Sequence, residues 1–372
     1  MEHAPPLRVE AFYARGWRNL TSTDLRPGPR FNVIAGDNGQ GKSNLLEAIY
    51  YLGGLRSHRG APSLELVQHG QDHATLAAKV QGPPAARRLE ARVFAKGRAR
   101  QLTLDGKRPR SSSVWTSAVP MVLFHPGELA LGQGSPEGRR SMLDRALELL
   151  DPTYASTRSA YDKALRSRNR LLKDEADTRS IVAYDPILAS AGAIMARARA
   201  ALVVDLASVA ENSFATIIGQ EVPVRVAYAP RVEPTEEALR AALARSLDKD
   251  RARMFTAEGP HADDVTLEVH GHAAKHHASQ GQHRALVLAL KVAELEVLAR
   301  RSGRTPVLLL DDVSSELDRV RSARLFALLA ARGGQVFVTT TMPELIVLDA
   351  ERVDFTVRAG QVRMLDGVAE RT

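Results

Sequence analysis

Three short stretches carry residue types that could do chemistry together. Gly36-Asp37-Asn38-Gly39-Gln40-Gly41-Lys42-Ser43 has the make-up of a loop that wraps a phosphate chain. Its glycines let the backbone curl so that several N–H groups face one anion. Lys42 would reach the β- and γ-phosphates of a nucleotide, Ser43 would ligate Mg2+, and Asn44 completes the ATP-binding set. Val307-Leu308-Leu309-Leu310 ends in Asp311-Asp312. Asp311 would hold the metal, directly or through water. Asp312, beside the γ-phosphate, could orient and deprotonate an attacking water. Ser279-Gln280-Gly281-Gln282 precedes a long helical pattern, and Ser279 has the character of an N-cap whose helix end points donors outward.

Taken singly, the acidic strand end is commonly a solvated turn and the serine a plain cap. The elements around the glycine loop give it weight. Phe31 to Ala35 reads as a strand before it and Asn44 to Leu52 as an amphipathic helix after it, closed by Gly53-Gly54. Apolar strands at 307–310 and 336–339 alternate with helices at 282–301 and 319–332, which predicts a sheet covered on both faces. Residues 136–252 read as mainly helical, with Ala-rich 188–218 as a packing helix stopped at Gly219 and one strand at 222–228.

The chain has 372 residues and no cysteine, which excludes disulfides, cysteine–zinc sites and thiol chemistry. No apolar signal core opens it and no uninterrupted apolar run spans a membrane, so a cytoplasmic location is expected. The formal charge of +8 favours an acidic partner. Residues 87–110 hold nine Lys/Arg against two acids, patterned as a hairpin turning near Lys96-Gly97. Residues 158–173 hold six Lys/Arg against Asp162 alone, patterned as a helix. Either stretch could be a solvated face; together they suggest a polyanion surface, with Arg98, Arg100, Arg166 and Arg170 as candidate DNA contacts. Histidines at 270, 272, 276, 277 and 283 match no structural zinc spacing and read as a polar turn.

The order of these motifs, closing with Ser315-Glu316-Leu317-Asp318, is that of the ABC-type ATPases. The chain resembles the RecF family of bacterial recombination-mediator ATPases, relatives of SMC and ABC proteins. The resemblance rests on Gly39 to Ile49, Gly134-Ser135-Pro136 with Arg139-Arg140 and Leu143-Asp144, Arg168-Asn169 with Leu172-Lys173, Gly259-Pro260-His261, Ser279 to Gln282, and Leu308 to Asp318. It implies an α/β, ABC/SMC-like P-loop ATPase head built from 1–125 and 256–372, with a mainly helical arm inserted at 126–255. It implies a homodimer sandwiching two ATP and Mg2+, in which Ser279 of one subunit meets the γ-phosphate held by Lys42 of the other, with Ser315 and Asp318 in the D-loop. It also implies weak, DNA-dependent hydrolysis and binding to gapped, duplex or single-stranded DNA. RecO and RecR would be partners in loading RecA, with a role in the SOS response. The chain departs from the family pattern at Ala262, at Pro126-Gly127-Glu128, where no Q-loop residue is assigned, and at Trp17-Arg18-Asn19, a segment expected to approach the nucleotide. Thr339-Thr340-Thr341 stands where transporters carry a switch histidine. A transporter ATPase subunit and an SMC-like DNA-bridging protein are the competing readings. The first is opposed by the signature, the insertion and the missing histidine, the second by the absence of a sustained heptad run.

Overall fold

Two strand patterns in the sequence produce two kinds of sheet. The computed structural model describes residues 4–365. In the N-terminal part, β1 (Arg8–Arg15), β2 (Thr23–Leu25), β4 (His73–Gln81), β5 (Arg87–Phe94) and β6 (Gln101–Leu104) pair antiparallel in the order β2-β1-β4-β5-β6. Their alternating residues bury one face. In contrast β7 (Met121–Phe124) is apolar throughout, β3 (Phe31–Ala35) is apolar but for Asn32, and both are buried almost end to end. Near the other end of the chain β11 (Val307–Leu310), wholly apolar, and β12 (Val336–Thr340), which ends in two threonines, are buried in the same way. With β13 (Arg352–Arg358) and β14 (Gln361–Met364) they make a six-stranded sheet, β14-β13-β3-β12-β11-β7, parallel except for the β13–β14 hairpin.

Helix α1 (Lys42–Gly54) is buried nearly all round, as a helix lying between two sheets must be. It touches β4 and β5 on one side and β7 and β12 on the other. The helix ends at the expected Gly53-Gly54, although both glycines are its last helical residues and Leu55 provides the left-handed cap at φ 53°. Gly53 also serves packing, since a Cβ there would lie 2.7 Å from the Met121 side chain.

The remaining long helices are α2 (Pro136–Leu150), α3 (Pro152–Lys173), α4 (Asp185–Ile218), α5 (Glu236–Arg253), α6 (Gln280–Ser302) and α7 (Arg319–Arg332). The chain forms two compact units: 1–129 with 213–221 and 284–372, and 130–212 with 222–283. These limits differ from the expected 1–125, 126–255 and 256–372. Residues 126–129 stay with the first unit, where the Glu128 carboxylate meets Lys291 at 3.1 Å. Residues 213–221 also stay there, Ile218 accepting 2.6 Å from Arg324 Nη1. Residues 256–283 join the second unit because β9 (Asp264–Val269) pairs along its whole length with β8 (Val224–Ala229), with β10 (His272–Ala273) outside it.

Helix α4 lies within Thr178–Ile218, a segment long and apolar enough to cross a membrane by composition; 56% of its most apolar window is buried inside the fold. Sequence reading finds no such segment because Arg197, Arg199 and Asp205 interrupt its apolar runs.

The second unit has a core of charge as well as hydrocarbon. Arg199, 2% exposed, donates to Asp144 at 2.7 and 2.9 Å and to the Pro260 carbonyl at 2.6 Å, while Tyr154 donates to the same carboxylate at 2.6 Å. Arg168, wholly buried, bonds Asp185, Asp250 and Thr256 at 2.7–2.9 Å. Arg139 forks onto Asp264 at 2.8 and 3.0 Å. The Arg139-Arg140, Leu143-Asp144, Arg168-Asn169 and Gly-Pro-His motifs therefore meet in this network and tie α2, α3, α4 and α5 to β9. Asp144→Ala should strand the Arg199 guanidinium and cost about 3–5 kcal/mol, read as a lowered urea midpoint. Asp144→Asn, which keeps one acceptor, should cost less.

Candidate nucleotide-binding site

The loop begins where β3 ends. Asp37, Asn38 and Gly39 form its exposed crown, and α1 starts at Lys42 with Gly41 as N-cap and no capping side chain. The first N–H groups of the helix thus stay directed into the loop's concavity, an arrangement suited to phosphate. Lys42 folds back over the loop and donates to the carbonyls of Gly36 at 2.7 Å and Asp37 at 2.9 Å. Burial lowers its pKa, opposed by the charges of Asp312, Asp311 and Asp37.

The pairing of β11 and β12 brings in the acids. Asp311 Oδ1 accepts from Ser43 Oγ at 2.8 Å and from Thr339 Oγ1 at 2.7 Å. Ser43 and Asp311, 268 positions apart, therefore meet at the expected metal position. A hydroxyl and a carboxylate side by side are the oxygen donors a hard cation such as Mg2+ takes. Asp312 follows in the left-handed region, φ 50° and ψ 37°, its N–H bonded to Thr339 Oγ1 at 2.9 Å. Sequence reading noted Thr339 only as a departure from transporters; its hydroxyl contacts both acidic residues. The register of β7 with β11, Phe124 opposite Leu310, brings the chain out at His125 level with Asp311. The His125 and His58 rings lie tilted against each other, centroids 4.8 Å apart. Burial, with His125 alongside, pushes His58 down to about 4, so it is neutral at pH 7.

The loop is braced from behind. Gln40 accepts at its carbonyl from Gly360 N (2.9 Å) and at its side-chain oxygen from Ala359 N (2.6 Å), both in the β13–β14 turn. Gly360, at φ 76°, must be glycine, because a Cβ would sit 2.0 Å from the Asn19 carbonyl oxygen. The segment expected near the nucleotide divides its tasks. Trp17 is buried edge-on against Tyr51, Arg18 pairs with Glu47 of α1, and Asn19 accepts 2.7 Å from Asn44.

The other candidates are placed as follows. Ser279 and Gln282 cap α6 reciprocally: Gln282 N donates to Ser279 Oγ at 3.2 Å and Ser279 N to Gln282 Oε1 at 2.8 Å. Gln280 and Gly281 open that helix. These residues belong to the second unit. Asp318 caps α7 through Arg321 N at 2.9 Å, and the side chain of Ser315 lies outside the described residues. Of the basic residues, Arg98 lies over the Phe94 ring and Arg100 donates to the Leu55 carbonyl at 2.5 Å. Arg166 is exposed and Arg170 lies 3.6 Å from Asp174. Arg158 and Arg168 in the basic helix are spent on internal carboxylates. His270 occupies a left-handed turn, and His272 and His277 stack at 5.0 Å.

Comparison with known proteins identifies the family. The RecF/RecN/SMC N terminal domain profile matches residues 8–362. The chain is 42% identical to a DNA replication and repair protein RecF from Anaeromyxobacter sp. (strain Fw109-5), covering 91% of this chain and 94% of the relative. It is 40% identical to the protein of that description from Myxococcus xanthus (strain DK1622), over 91% and 92%. A solved structure of the recombination mediator RecF with ATPrS in the RecFOR pathway superposes with a TM-score of 0.89 at 29% identity, covering 98% of this chain and 100% of that one. An Smc head, at TM-score 0.58 and 14% identity over 96% of each chain, shares the fold. Lys42→Ala removes an ammonium and its two loop contacts, so affinity for a fluorescent ATP analogue should fall about 100-fold or more. Near-normal titration would refute the phosphate assignment.

Proposed function

The chain belongs to the RecF/RecN/SMC N-terminal domain family, and on that footing we propose that it is an ATP-dependent DNA-binding protein of recombinational repair and replication restart. The meeting of Ser43 with Asp311, and of Asp312 with the same strand end, carries the reading. The loop N–H groups and Lys42 hold the β- and γ-phosphates. Ser43 and Asp311 hold Mg2+, which neutralises phosphate charge when bound. Asp312 orients water and accepts its proton. Hydrolysis is slow, stimulated by DNA, and acts as a release switch.

Two copies pair through ATP, the exposed Ser279 of one reaching the γ-phosphate held by the other. DNA is held by its phosphates through Arg98, Arg166 and Arg170, with Arg100 also bound to the Leu55 carbonyl. RecO and RecR are its partners in loading RecA, with a role in the SOS response; the RecFOR pathway of the matched ATPrS-bound mediator supports the mediator part of this reading. The site of action is the cytoplasm.

Assembly and DNA binding are separable in experiment. Asp312→Asn keeps shape and loses the base, so it should accumulate as an ATP-bound dimer in sedimentation. Ser279→Arg should stay monomeric with ATP; a normal dimer would refute the trans contact. Charge reversal at Arg166 and Arg170 should weaken DNA binding equally across sequences. It should also flatten the dependence of log K on log salt by about 0.9 for each lost duplex contact. Anisotropy titrations at several salt concentrations, on gapped, duplex and single-stranded DNA, give both quantities. An unchanged slope would return that helix face to plain solvation.

A further inference from the structure

Thr339 is wholly buried on β12, a central strand between β3 and β11. A β-branched apolar residue would satisfy that position's strand preference and packing. A hydroxyl there needs partners, and it has one for each of its capacities. It donates to Asp311 Oδ1 at 2.7 Å and accepts from the backbone N–H of Asp312 at 2.9 Å. One side chain therefore grips both acidic residues, one by its carboxylate and the next by its backbone.

Each grip answers a specific need. Asp311 sits at the end of a strand, where its carboxylate could swing; Ser43 also donates to Oδ1, at 2.8 Å. Ser43 would have to share that hydroxyl oxygen with a cation, its proton on Asp311 and a lone pair on the metal, whereas Thr339 has no metal to serve. Asp312 is a non-glycine residue at φ 50°, an uphill conformation that persists only where the surroundings impose it. The turn at Asp312 directs its side chain off the strand line, and both carboxylates act electrostatically on Lys42. The next residue along β12 repeats the device, Thr340 Oγ1 bonding Ser314 Oγ at 2.8 Å and Met342 N at 2.9 Å. The strand end is thus a row of hydroxyls fastening the turn after β11.

We propose that Thr339 is a positioning residue for hydrolysis, setting the metal-anchoring carboxylate of Asp311 and the base Asp312 in fixed register through one hydroxyl. The inference rests on the roles given above to Asp311 and Asp312. Its test compares Thr339→Val, Thr339→Ser and Asp312→Asn in single-turnover hydrolysis and in fluorescent-nucleotide binding with EDTA and across a Mg2+ titration. Thr339→Val should lower the hydrolysis rate at least tenfold. It should raise the Mg2+ concentration for half-maximal tightening of nucleotide binding several-fold, yet leave affinity in EDTA unchanged. Thr339→Ser, retaining the hydroxyl, should restore both. A Val variant with wild-type rate and Mg2+ requirement would overturn the proposal, as would a Ser variant as impaired as Val, which would point to packing. If Thr339→Val is too unstable to purify, the Ser variant decides alone: wild-type rate and Mg2+ requirement support the hydroxyl, and impairment in either overturns it. Asp312→Asn hydrolysing at the wild-type rate would instead remove the base assignment, and the Mg2+ titration would still judge the Thr339–Asp311 contact.

Discussion

One oxygen, Oδ1 of Asp311, is where the nucleotide machinery closes. It accepts a hydroxyl from the start of α1 and another from the end of β12, so three elements converge on a single acceptor. The parallel register of β3, β12 and β11 makes this possible by bringing their C-terminal ends to one level. That edge is where an α/β sheet exposes backbone and side chains to a ligand. The antiparallel sheet supplies no chemistry at that edge, whereas α1, packed between the two sheets, brings Lys42 and Ser43 to it from its first turn.

The second unit handles charge in the opposite way. Its buried arginines are matched with carboxylates inside, and the pairs cross-link α2, α3, α4, α5 and β9. A buried ion pair contributes little net stability over an apolar pair of like size, but losing either member is costly. Such a core tolerates replacement of a pair better than replacement of one residue. The basic character of α3 is correspondingly smaller than its composition suggests, because Arg168 faces inward and Arg158 is shared among Asp144, Glu148 and Asp162.

Much of the first unit was legible because its patterns are local. The glycine loop is contiguous, the buried strands are mostly apolar, and the β5–β6 hairpin follows from alternation. The acidic pair could be placed for the same reason. What sequence reasoning missed depends on contacts between distant segments. Gly53 reads only as a stop but also fills a close approach to β7. Thr339 reads as an ordinary strand residue until β12 is laid beside β11. The Arg-Arg, Arg-Asn and Gly-Pro-His motifs gave no hint that they would converge, because a buried ion pair has no periodic signature. The limits of the second unit were hidden likewise, since β9 declares its partner β8 only through pairing.

The hairpin turn at Ala359-Gly360 has a consequence for biosynthesis. The phosphate loop leaves the ribosome early, as residues 36 to 43, but the two backbone donors that brace Gln40 are made more than three hundred residues later. At about 5–20 residues per second that is an interval of tens of seconds. During it the nascent chain carries the phosphate motif without its clasp. A polypeptide released before residue 360 would likewise present the motif unbraced, so the bracing of the phosphate loop reports that the β13–β14 turn has been made.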